Sequence, residues 1–132
     1  MLDYSYEQIL EHITKVCQAL VDIAASRKRI ELQEQQLQQS IAHLNDQAQA
    51  ALAQGKEDLA REALSRKAAA QQQIDGMEPQ HQQLTEQEQE LEQTLSQLQQ
   101  RVDAFRSQKE VMKAQYTAAR ASASVNEEAA SS

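Results

Sequence analysis

Aromatic residues and chain breakers are nearly missing from this sequence, which has no tryptophan, one phenylalanine, three tyrosines, one proline and two glycines among 132 residues. A globular core draws on aromatic bulk, and a chain that reverses often needs glycine and proline, so a many-turned globular domain is excluded. A single cysteine, Cys17, forms no internal disulfide and fits a reducing compartment. No apolar run approaches the roughly 20 residues of a membrane span, and no basic start with an apolar middle marks a signal peptide. The expectation is a cytosolic chain. Thirteen Lys and Arg against twenty Asp and Glu leave a net charge of -7, the wrong sign for nucleic acid as the main partner.

What is present is Ala, Gln, Glu, Leu and Lys, the composition of long helices. Asp3 or Ser5 offers an N-terminal cap for the first of them. From Tyr6 a stripe at alternating spacings of three and four runs through Ile9, Ile13, Val16, Leu20, Ile23, Arg27, Ile30, Glu34, Leu37, Ile41, Leu44 and Ala48 to Ala51. A second stripe runs from Ala60 and Ala63 through Lys67, Ala70, Ile74, Met77, His81, Leu84, Glu88, Leu91, Leu95, Leu98, Val102, Phe105, Lys109, Met112 and Tyr116 to Ala119. A seven-residue period sustained this long is a coiled-coil seam, narrower than the apolar face of a globular helix.

Between the stripes lies Ala53-Gln54-Gly55-Lys56-Glu57-Asp58. Glycine ends helices because the left-handed conformation past the last turn costs it no Cβ clash, and two acids then suit the first turn of a following helix. A short connection makes its two helices antiparallel neighbours, so facing seam positions have residue numbers adding to about 111. Ala51 then meets Ala60, Ala48 meets Ala63, Leu20 meets Leu91, Val16 meets Leu95 and Tyr6 meets Phe105. The expected fold is all-α, a long antiparallel two-helix coiled-coil hairpin with its turn near residues 54–57. Its arms cover about 4–53 and 57–121, and 122–132 forms a frayed or disordered tail. Gly76 and Pro79 predict a kink near 75–79, with Pro79 facing solvent.

Polar residues interrupt the seam. Arg27 with Glu88, and Glu34 with His81, share one offset from direct facing and are candidate ion pairs across it; the competing reading is that these side chains reach the wet rim. Arg27, Lys28 and Arg29 form a candidate basic patch. No phosphate-binding loop, nucleophile with a base, or Cys/His cluster is present, and His12, His43 and His81 are too far apart in sequence for zinc-ligand spacing. Catalytic residues, metal and cofactor are therefore not expected.

Gly55-Lys56-Glu57-Asp58-Leu59-Ala60-Arg61-Glu62-Ala63-Leu64, followed by Lys67, resembles the hairpin-tip signature of the phage shock protein A family, which includes the vesicle-inducing protein in plastids. Leu2-Asp3-Tyr4-Ser5-Tyr6 with Ser26-Arg27-Lys28-Arg29 is similar to the actinobacterial branch. The resemblance implies a non-enzymatic scaffold, peripheral to the inner face of the cell membrane, that self-assembles and maintains membrane integrity under envelope stress, with an ESCRT-III-like fold. It implies homo-oligomers of the full-length form, and anionic lipids bound through an amphipathic helix that precedes the hairpin in the family. Such a helix is not in this chain, which is expected to be the hairpin core. A different reading is an adaptor whose helical faces bind and inhibit a transcription activator or another regulatory protein.

Overall fold

The computed structural model describes residues 2–131, with side chains from Tyr4 onward. Two helices account for nearly all of it: α1 (Leu2–Ala53) and α2 (Glu57–Ser131), with no strand among the described residues. α1 starts upstream of Ser5, which lies inside the helix and does not cap it; the Asp3 side chain lies outside the described residues.

The reversal occupies Gln54, Gly55 and Lys56. Lys56 N–H donates to Ala51 O at 2.8 Å and Gly55 N–H to Leu52 O at 3.1 Å, the paired bonds of a Schellman end that satisfy carbonyls left over at the helix terminus. Gly55 carries φ 74, the only positive φ among the described residues. Lys56 also begins α2, since its carbonyl accepts the Ala60 N–H at 3.2 Å. One residue thus closes the first helix and opens the second, and Glu57 and Asp58 supply the negative charge that the exposed N–H groups of the new helix favour.

The chain divides into two compact units, residues 18–92 and residues 1–17 with 93–132. In the first, the buried side chains are mostly alanines: Ala48, Ala51, Ala60, Ala63 and Ala70, with Ile74. Small side chains on both helices allow close approach next to a three-residue connection, while each buried methyl adds only about 0.8 kcal/mol. Leu20, Ile23, Ile30, Leu37, Ile41 and Leu44 of α1, and Met77, Leu84 and Leu91 of α2, are half-buried, as a two-helix seam dictates. In the second unit larger residues are buried: Ile9, Val16 and Leu98 are each 4% exposed and Val102 6%. Each contributes on the order of 1.5–3 kcal/mol. The Tyr6 and Phe105 rings meet edge to face, with centroids 6.0 Å apart and planes at 63°.

Pro79 lies inside α2, which continues through it. Its side chain and Gly76 are exposed, while Ile74 and Met77 before it and His81 and Leu84 after it remain on the seam. The lost hydrogen bond falls on the solvent side, so the seam contacts carry the helix across. Past Phe105 the seam has no cover: Lys109, Met112, Tyr116 and Ala119 are exposed, as is every described side chain from Arg106 on. α2 nevertheless extends to Ser131, where the sequence leads one to expect fraying after 121. Alanine-rich sequence has high intrinsic helix propensity, and this stretch is helical without packing.

Candidate functional site

Two features of the hairpin concentrate polar or exposed apolar groups, and both lie in the unit of residues 18–92. The first is a polar cluster across the seam. Arg27 sits at a seam position of α1 and Glu88 at one of α2, and Arg27 Nε donates to Glu88 Oε2 at 2.7 Å. Arg27 Nη1 also donates to Glu31 Oε1 at 2.8 Å, one turn along its own helix. The same Glu31 oxygen lies 3.1 Å from His81 Nε2. A carboxylate only accepts, so Nε2 carries the proton in this contact. Glu31 is held below its ordinary pKa, first by the His81 hydrogen bond and then by Arg27, against a smaller opposing effect of desolvation. Arg27 is held above its own, first by Glu88 and then by Glu31.

The pairing of Glu34 with His81 expected from seam register is corrected by this geometry. His81 reaches Glu31, three residues before Glu34, and Glu34 Oε1 is buried with no hydrogen-bond partner. The reason is local. Glu31 flanks the seam, where a carboxylate can meet Arg27 four residues back and the imidazole opposite, while Glu34 points into the seam itself. Sequence reasoning limited to seam positions omits Glu31; its i,i+4 spacing from Arg27 was the available signal.

The basic patch is also corrected. Arg27 is bound to Glu31 and Glu88, so only Lys28 and Arg29 present exposed charge there.

The second feature is the tip. Gly55, Lys56, Glu57, Asp58, Leu59 and Arg61 are exposed, while Ala60 is 2% exposed and fixes the start of α2 against α1. Around them Leu52, Leu59 and Leu64 present apolar side chains that are 57%, 53% and 45% exposed. A shallow open depression of about 450 Å³ lies between the helices, lined by Gln47, Ala51, Lys56, Leu59, Ala63 and Arg66 among others. Arg66 is held by Glu62 at 2.8 Å, and Arg61 stands 4.0 Å from Glu57. These are solvent-exposed pairs that add little stability.

Among the described residues no group of His, Cys, Asp and Glu is arranged to hold a metal ion. The same residues contain no helix long and apolar enough to cross a membrane. The arrangement offers contact surfaces: a tip where exposed leucines lie among charged residues, and a seam whose polar cluster ties the two helices together.

No curated protein matches the chain. The family model of the PspA/IM30 family matches residues 1–132. With that match covering the whole length of the sequence, this chain belongs to the PspA/IM30 family.

Proposed function

We propose that this protein is a non-enzymatic scaffold that self-assembles on the inner face of the cell membrane and maintains membrane integrity under envelope stress. The observation that carries this reading is the match of the PspA/IM30 family model to the full 132 residues. Two further features support it. Leu52, Leu59 and Leu64 leave apolar surface at the tip, where the Gly55–Arg61 motif gives an assembly contact for a neighbouring subunit. Lys28 and Arg29 supply a small exposed basic face on α1.

Light scattering and electron microscopy of the purified chain, together with membrane potential in cells challenged with a detergent, test the reading. The expected result is assemblies far above the 14.9 kDa monomer and a slower loss of potential when the protein is present. A chain that stays monomeric at every concentration, in cells that lose potential as fast as without it, overturns the proposal.

A further inference from the structure

Past Phe105, α2 has no facing partner from α1, and all its described side chains are exposed from Arg106 on. Residues 106–131 carry Arg106, Lys109, Lys113 and Arg120 against Glu110, Glu127 and Glu128, a small positive excess in a protein whose net charge is -7. Spacings of three, four and seven residues place these cations on one face of the helix. Met112 and Tyr116, each three residues after a lysine, border the same face and are 55% and 67% exposed. Arg106 is held above its ordinary pKa, first by the Tyr6 hydroxyl; Lys109, Lys113 and Arg120 make no ion pair among the described residues. Asp103 and Glu110 lie toward the flanks of the stripe. Glu127 ends it, two turns beyond Arg120 and roughly 10 Å along the axis, a distance comparable to the screening length of about 8 Å at physiological salt.

We propose that the Lys109–Arg120 stretch of α2 is a binding surface for an anionic lipid bilayer, adsorbing through its three unpaired cations while Met112 and Tyr116 enter the headgroup region. This deepens the membrane-scaffold reading and rests on it, but places a lipid contact on a helix outside both the tip and the Lys28–Arg29 face. Charge complementarity selects the occupant: a cationic face requires an anionic surface. Side-chain size favours a bilayer over an acidic helix. After Tyr116 the seam positions are Ala119, Ala123 and Asn126, so the apolar period stops at Asn126 and offers an acidic partner helix no further bulky knob. A planar charged surface needs only the cations and a few apolar side chains at one level.

The test is flotation of the full chain with vesicles of phosphatidylcholine, with and without phosphatidylglycerol. The parent is expected to float only with the anionic vesicles and to release them as salt rises. Lys113→Gln/Arg120→Gln removes two exposed cations and is expected to weaken binding about 30-fold. Lys15→Gln/Arg101→Gln has the same net charge and is expected to stay within about twofold of the parent. Equal binding by Lys113→Gln/Arg120→Gln and the parent, equal loss in both variants, or no flotation of the parent overturns the inference. Capture of the parent by polyglutamate without vesicle binding overturns it in favour of an acidic protein partner. A parent that fails to assemble or to protect cells overturns the scaffold reading, whatever its vesicle binding.

Discussion

His81 Nε2 lies 3.1 Å from Glu31 Oε1, and this contact leaves Glu34, three residues further along α1, with a buried carboxylate oxygen that has no partner. Of these two α1 acids, Glu31 at the flank of the seam ties the helices together and Glu34 within the seam opposes their packing.

Replacing the second should help. Glu34→Leu restores an apolar seam position and removes an unsatisfied buried oxygen, so it is expected to stabilise the hairpin by about 1–2 kcal/mol. Thermal melts of the two proteins at neutral pH check this. A lowered melting temperature would mean that Glu34 has a partner in solution.

Glu31 should show itself in acid. Its folded pKa is held below the ordinary value, chiefly by the His81 hydrogen bond and next by Arg27. A depressed carboxylate contributes stability that is present above its unfolded pKa, about 4.3, and is lost as pH falls through the lower folded value. Glu31→Gln is therefore expected to lower stability at neutral pH and to flatten the decline of melting temperature below about pH 4.3. Arg27, His81 and Glu88 face the same cluster, so the comparison is made against the parent across the full pH range. Identical acid limbs in the two proteins would show that the contact contributes nothing.

At the turn, the conformation of Gly55 matters and its space does not. A Cβ built there meets nothing within 4 Å, yet φ is +74. Gly55→Ala is expected to cost about 1–2 kcal/mol from the left-handed backbone alone. It should also favour opening of the arms into a domain-swapped dimer, seen by light scattering as a rise in mass with concentration relative to the parent. A melting temperature equal to the parent's would mean that seam packing sets the turn.

Gly76 gives the opposite expectation. It lies in α2 without a positive φ, and its added Cβ also meets nothing within 4 Å. Gly76→Ala should stabilise by about 0.5–1 kcal/mol through the helix term and the reduced freedom of the unfolded chain. Denaturant melts decide it, and a destabilised variant would point to a bend beside Pro79 that requires glycine.

The sequence by itself determined the two helices, the glycine-led reversal and the heptad seam, because a narrow apolar stripe is buried only against another helix and a short connection makes its two helices neighbours. Every stripe position from Tyr6 to Ala51 and from Ala60 to Phe105 is buried or half-buried. The position of the turn was equally legible, since a glycine and its flanking alanines are local in sequence. Heptad register also paired Arg27 with Glu88, but only the tertiary structure decided the partner of His81. Heptad register places residues to within a turn, but long side chains choose among neighbours within that distance, and there Glu31 took His81 while Glu34 was left alone. It also decided where the seam ends: Lys109, Met112, Tyr116 and Ala119 keep the period and are exposed, because a helix face is buried only where a partner reaches it.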